Sequence, residues 1–417
     1  MSQALKSSSE VKLEWDVSRP ELFEENRVLP IMADMRRRQP VYYCPESAYG
    51  PYWSVTGYKE IVEVDTSHTI FSSEQSLGGI VIDDNIQNDA ENNFHIPNFI
   101  AMDAPKHTDY RKSVQDIAAP PSIAALSDLI RERTATLLDS LPVGEDFDWV
   151  ENVSIPLTTM MLATLFDFPF EDRHKLTRWS DVTTAEPGSG IIESQQQRIG
   201  ELMECLEYFT KLWNERVNAP PAFNLISMLA HSPATRDMSP EAYLGNVLLL
   251  IVGGNDTTRN SMSGSINAMN LFPEQMNKLR SNRNLIDQMV AEIIRWQTPL
   301  AHMRRTAITD TILGGQAIKK GDKVVMWYAA GNRDETVFEN PDVVDIERHN
   351  ARRHVSFGFG IHRCMGMRLA ELQLRILWEE ILQRWHLIEL RSEPKRLKSN
   401  FVNGYTEMMV RIRPTAS

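Results

Sequence analysis

Residues 354–375 read HVSFGFGIHRCMGMRLAELQLR, and this stretch constrains the fold more than any other. Phe357 and Phe359 alternate with Gly358 and Gly360, and Gly366 follows Cys364 by two positions. Glycines permit backbone conformations closed to other residues and allow close approach to a planar ligand. Beyond Cys364, Leu369, Leu372, Ile376, Leu382 and Trp385 recur at near-helical spacing, so the cysteine stands just before a helix. A helix N-terminus offers free N–H groups and partial positive charge, which favour a thiolate over a thiol. Three other readings of the stretch are open. A nucleotide-binding loop lacks the third glycine of GxGxxG. A zinc site of His349, His354, His362 and Cys364 matches no standard finger and leaves the Phe/Gly content unexplained. A buried structural cysteine requires none of the glycines.

Upstream, NVLLLIVGGNDTTRNSMSG (246–264) carries an apolar run, Val247–Val252, into Gly253, Gly254, Asn255 and Asp256. A glycine inside a helix costs about 1 kcal/mol relative to alanine, and a buried acid costs more unless it is satisfied. Either the helix ends at Gly253 or the interruption serves a purpose. In EIIRW, Glu292 and Arg295 are three apart on one helix face, among apolar neighbours that mark a buried helix and an internal ion pair.

The remaining sequence frames these segments. Helical patterns run over about 121–140, 151–168, 191–218, 240–271, 284–297 and 365–385, with hairpin-like units at 41–57 and 312–328, the latter turning near Lys320–Gly321, and strands near 386–413. There is no βαβ alternation. Residues 72–100 read as a long functional loop and 183–190 as a loop between helices. The length of 417 residues suggests two or three domains, but no linker separates them, so one large domain is expected, with residues 1–20 as a tail and 21–417 folded. Three cysteines argue against a disulfide framework and cannot hold a four-thiolate cluster or a four-cysteine zinc site; Cys44 and Cys205 read as packing residues. A formal charge of −12 argues against nucleic-acid partners. The N-terminus lacks a secretory pattern, and the apolar run falls far short of the ~20 residues of a membrane span; a cytoplasmic protein is expected.

FGFGIHRCMG resembles the haem-binding loop of the cytochrome P450 superfamily, FGxG, then His or Arg, then CxG. The resemblance follows the superfamily's motif order from about residue 20 to 413. It implies a mainly α, single-domain cytochrome P450 fold, with a long central helix over the haem and small peripheral sheets. Haem b would be the cofactor, with O2 as co-substrate and Cys364 as the thiolate iron ligand. Phe357, Gly358 and Gly366 would form the haem loop. GGNDTT resembles the oxygen-binding bend of the central helix, which makes Asp256 and Thr257 the acid–alcohol pair for proton delivery. Glu292 and Arg295 resemble the ExxR motif, completed by Arg348 into a structural triad. MDAPKHTDYRK (102–112) implies His107 and Arg111 as contacts of the haem propionates, with Arg305 and His362 as further ones.

Several stretches, among them EIIRWQTPLAHMRR and SNFVNGYTEMMV, are similar to a bacterial group that hydroxylates terminal methyls of alkanes and fatty acids. Leu249, Val252, Gly253, Leu300 and Ala301 would then line an apolar substrate site. A terpene or another compact apolar molecule is the alternative substrate, and a haem-thiolate sensor the alternative class. No flavin, nicotinamide or iron–sulfur motif is evident and there is no room for an appended reductase, so a ferredoxin and ferredoxin reductase would bring NAD(P)H-derived electrons. The basic residues around Cys364, including Arg352, Arg363, Arg368 and Arg375, would form the docking face.

Overall fold

Ser239 begins the element around which the protein is built. Its side chain accepts a hydrogen bond from the Ala242 amide (3.3 Å), Pro240 stands in the first turn, and a 32-residue helix, Pro240–Leu271, follows. Pro273 forbids a further turn. The helix does not end at Gly253. It runs through both glycines, which face different surroundings. A Cβ on Gly254 would lie 2.7 Å from Leu162 Cδ2, so this glycine lets the helix Ile155–Phe166 pack close. A Cβ on Gly253 would meet nothing within 4 Å.

The computed structural model describes residues 15–84, 88–89, 94–185 and 187–414. The chain is mainly helical with small peripheral sheets, as expected. Helices Pro120–Asp139, Gln195–Val217, Ile286–Gln297 and Met367–Arg384 match their sequence patterns to within a few residues. The pattern at 151–168 divides into a π turn, Val150–Ser154, and the helix Ile155–Phe166. Eight further helices among the described residues lack a clear sequence pattern: Pro20–Glu24, Val28–Arg38, Tyr58–Thr66, Lys106–Val114, His174–Thr184, Leu225–His231, Pro273–Ser281 and Tyr328–Gly331. Residues 183–184 thus belong to a helix rather than to the expected loop, and much of the expected loop at 72–100 lies outside the described residues. Packing begins earlier than the expected boundary at residue 21, because Trp15 and Val17 are buried against Phe23, Met32 and Trp327.

One five-stranded sheet runs in the order Val41–Cys44, Tyr52–Val55, Lys323–Trp327, His302–Ala307, Phe71–Ser72. All pairs are antiparallel except Tyr52–Val55 with Lys323–Trp327. The unit expected at 312–328 is therefore not one hairpin turning at Lys320–Gly321. Thr311–Leu313 and Gln316–Ile318 pair across Gly314–Gly315, whose φ of +55° and +80° suit the tight turn, and Lys323–Trp327 joins the main sheet.

Basic side chains of this sheet hold Leu77–Asp84 in place. Arg304 donates to the carbonyls of Leu77 (3.1 Å) and Gly78 (2.9 Å) and pairs with Asp84. Lys323 Nζ donates to the Ile82 carbonyl (3.0 Å) and to Asp84 (2.7 Å). His302 Nε2 accepts from the Ile82 amide (3.1 Å) while Nδ1 donates to the Asn400 carbonyl (2.9 Å), which fixes a neutral tautomer. Burial pushes this imidazole down to about 4. Below about pH 6.5 the unfolded chain takes up a proton that folded His302 refuses until about 4, so stability falls as pH drops through that window. By pH 5 the loss from this one group should reach about 2 kcal/mol. Melting temperature measured from pH 7.5 to 5 should show it, and His302→Gln should flatten the slope. An equal slope in the variant would contradict the assignment.

Candidate active site

Between Ala242 and Met269 every residue of the central helix is buried except Leu249, Leu250, Val252, Gly253, Gly254 and Thr257. A helix enclosed along its length opens only there. Leu249, Val252, Gly253 and Thr257 follow one another at helical spacing on one face of the helix, the part of it left open. Apart from the Thr257 hydroxyl, this face carries no polar side chain.

Thr257 Oγ1 donates to the Gly253 carbonyl (2.9 Å), so it is held along its own helix. Asp256, its neighbour, turns elsewhere and is wholly buried. Its carboxylate accepts from Ser180 Oγ (3.0 Å), Thr184 Oγ1 (3.4 Å), Asn255 Nδ2 (3.1 Å) and Arg259 Nη2 (3.1 Å). Arg259 also donates to the partly exposed Asp181 (2.6 Å). The acid and the alcohol are adjacent in sequence, but their side chains do not touch. Burial raises the Asp256 carboxyl above the ordinary range, and Arg259 opposes the rise. Sequence reasoning missed Ser180, Asp181 and Thr184, which come from the unanticipated helix His174–Thr184. It also missed Arg259, whose place three residues after Asp256 on one helix face was the signal that could have found it.

Cys364 is half-buried at the foot of the helix Met367–Arg384, its amide donating to the Phe357 carbonyl (2.8 Å). The amides of Gly366 and Met367 donate to its sulfur, and Arg111 and Arg363 lie near. These groups favour the anion, yet burial outweighs them and pushes the thiol up. The helix terminus alone therefore does not make a thiolate here; a bound metal ion would complete the task. A Cβ on Gly366 would meet nothing within 4 Å, so there is room beside the sulfur. Phe357 is partly buried, edge-on to His354. Gly358 has a φ of +64°.

His107 and His362 pack against each other, their rings tilted by 57° with centroids 4.2 Å apart. Both are buried, and none of their four ring nitrogens has a hydrogen-bond partner among the described residues. Burial and the positive charges of Arg111 and Arg305 push His107 down to about 4 and His362 to about 2. Two neutral imidazoles with spare donors beside two guanidiniums form a place for carboxylates. Arg305, expected as a further propionate contact, also donates to Asp65 (2.8 Å). Arg111 donates to the Arg363 carbonyl (2.7 Å), so it also braces the cysteine loop.

The expected triad is closed and fully buried. Glu292 accepts from Arg295 Nε (2.8 Å) and Nη2 (2.7 Å) and from Arg348 Nε (3.0 and 3.1 Å). The remaining guanidinium donors go to carbonyls of Asn332, Glu339, Asn340, Pro341 and Val343, so the triad ties down the irregular segment that leads to the cysteine loop. Leu300 is partly exposed, but Ala301 is wholly buried against Trp327 and Val325, so it does not open onto the space beside Gly253 as expected.

These residues fit a haem on three observations: a half-open thiol supported by two amides, unsatisfied imidazoles where carboxylates would lie, and open space at Gly253 and Gly366. Among the described residues no three His, Cys, Asp or Glu side chains are grouped to hold a metal ion by themselves, as the zinc reading requires. None of the described helices is long and apolar enough to cross a membrane.

A family model described as cytochrome P450 matches residues 110–411. A linalool 8-monooxygenase of Pseudomonas putida is 37% identical over 404 residues, covering 96% of this chain and 99% of its own. A steroid C26-monooxygenase of Rhodococcus jostii is 31% identical over 405 residues, covering 95% and 84%. The structure of cytochrome P450-153 from Novosphingobium aromaticivorans superposes with a TM-score of 0.89 at 48% identity, covering 96% of this chain and all of that one.

Proposed function

Because the chain belongs to the cytochrome P450 family of haem-thiolate monooxygenases, we propose that it hydroxylates the terminal carbon of an alkane or a fatty acid. Haem supplies the oxygen chemistry: with two electrons and two protons, one atom of O2 enters a C–H bond and the other leaves as water. Cys364 would hold the iron, and His107, His362 and Arg111 would hold the propionates. Thr257 and Asp256 would bring protons to the oxygen side, Asp256 drawing on the Arg259–Asp181 link toward solvent. Leu249, Val252 and Gly253 would exclude water and offer a hydrocarbon no polar anchor.

The observation that carries the substrate reading is the open space over Gly253 at the centre of a buried helix, flanked by apolar side chains. A chain end can approach there where a bulkier residue would block it. The relatives' names add support, since carbon 8 of linalool and carbon 26 of a steroid are each a methyl at the end of a chain. The test is product analysis of the reconstituted enzyme with a medium-chain alkane, a medium-chain fatty acid and linalool. Terminal alcohols from the first two are expected. Exclusively internal hydroxylation would sink the reading. The linalool 8-monooxygenase relative supports a second reading, an acyclic terpene substrate, and turnover confined to linalool would select it.

Electrons would arrive from a ferredoxin at the face around Cys364. Of the arginines expected there, Arg352 is paired with Glu371 (2.9 Å), and Arg375 lies within 3.9 Å of Asp287 and 3.8 Å of Glu379. Arg363 and Arg368 are exposed and make no ion pair among the described residues. These two, rather than Arg352, should meet an acidic donor. Arg368→Glu should slow reduction about tenfold at low ionic strength, with the gap closing as salt screens the charges. Arg352→Glu should change it less. Stopped-flow reduction across a salt series checks this, and salt-independent rates in Arg368→Glu would contradict it.

A further inference from the structure

Asp65, near the end of the helix Tyr58–Thr66, is buried under the loop that carries Cys364. Its carboxylate accepts three hydrogen bonds: from Arg305 Nη2 (2.8 Å), the Tyr328 hydroxyl (2.8 Å) and the Phe359 amide (2.7 Å). The loop is wrapped closely around it. A Cβ on Gly358 would come 3.1 Å from Asp65 Oδ2, and one on Gly360 would come 2.5 Å from the Asp65 carbonyl oxygen. One acid thus gathers a sheet arginine, a tyrosine and the cysteine loop.

Packing alone does not call for a charge at this position, since a buried carboxylate is costly to desolvate. Its partner shows what the charge does. Arg305 lies near His107, so its guanidinium is part of the cationic surface that would face the propionates. A carboxylate that shares that guanidinium weakens its field toward everything else nearby.

We propose that Asp65 is a positioning residue of the haem site: by sharing Arg305 and holding the Phe359 amide, it sets the electrostatic balance at the haem and so limits how readily the iron is reduced. This rests on the haem-thiolate reading of Cys364. Reduction by one electron adds negative charge to the haem, and a nearby carboxylate opposes it while Arg305 favours it. The electron comes from outside, from the ferredoxin-type donor in turnover or from a mediator in a titration.

The test is a spectroelectrochemical titration of the haem-loaded protein, preceded by the spectrum of its reduced carbon monoxide complex. Asp65→Asn keeps the side-chain shape and removes the charge. It should raise the ferrous-to-ferric ratio at a given potential about tenfold, a rise of about 59 mV for one electron. The double variant Asp65→Asn with Arg305→Met removes both charges and should return to within about twofold of the parent. Tyr328→Phe takes one donor from the carboxylate and should move the potential the opposite way. If the parent protein lacks the red-shifted thiolate band, the reading of Cys364 fails and this proposal falls with it. If the band is present and the Asp65→Asn potential is unchanged, the proposal alone is overturned. Should Asp65→Asn fail to retain haem, Tyr328→Phe decides: a lowered potential supports the proposal, and an unchanged or raised one overturns it.

Discussion

Glu292→Ala is expected to leave little folded, haem-loaded protein. Among the described residues, Glu292 is the sole carboxylate facing two buried guanidiniums, those of Arg295 and Arg348. Breaking a buried ion pair by removing one partner costs about 3–5 kcal/mol, because the remaining charge stays desolvated and unpaired. Here two charges are stranded at once, and the Asp345 amide loses its acceptor as well. Against a typical domain stability of about 5–15 kcal/mol, that is most of the margin. The loss would spread along the chain, since both arginines also hold the carbonyls of the segment 332–343 that precedes the cysteine loop. The haem-to-protein ratio and a thermal melt of purified protein read the outcome. A variant that retains full haem and melts within a few degrees of the parent would show that the triad matters far less than its burial implies.

Asp256→Asn is expected to reduce turnover about 100- to 10,000-fold, the range of a lost proton-transfer group, with the haem spectrum intact. The carboxylate directly precedes Thr257 along the helix, and its environment suits a proton donor because burial raises its affinity for the proton. Asparagine keeps the shape but cannot carry a proton, and it leaves Arg259 with Asp181 alone. Asp181→Asn should give a smaller loss, since it frees Arg259 to bind Asp256 more tightly without removing the acid. A solvent isotope effect on turnover should increase in Asp256→Asn. Turnover within about threefold of the parent would remove Asp256 from the proton route.

The sequence segments with a single physical reading transferred directly to the structure. Six long helices were legible from apolar periodicity, and the Glu292–Arg295 pair from two charges placed among apolar neighbours, while Arg348 was reached only through the family resemblance. The family motif located Cys364, His107 and His362. What remained hidden depends on contacts between distant parts of the chain. Asp65 and Arg305 are separated by 240 positions, so nothing local announces their pairing. His174–Thr184 is short, and its Ser180 and Thr184 gain meaning only when they reach Asp256. Ala301 looked like a lining residue from its place in the chain, but it is buried in the cluster that also holds Trp327. Gly253 and Gly254 read as one interruption; only the neighbours show that one admits Leu162 and the other borders open space.

The fastening of Leu77–Asp84 to the sheet has a dynamic consequence. A connection outside the helices and strands would ordinarily open and close on its own, exchanging amide hydrogens long before the core does, but Ile80, Val81 and Ile82 of this one are buried. Here the Ile82 amide ends on His302, the Ile80 carbonyl accepts the Arg304 amide (2.7 Å), and Arg304 and Lys323 grip the remaining backbone. The segment therefore belongs to the cooperative unit of the sheet, and its Ile82 amide should be protected to the same degree as the strands His302–Ala307 and Lys323–Trp327.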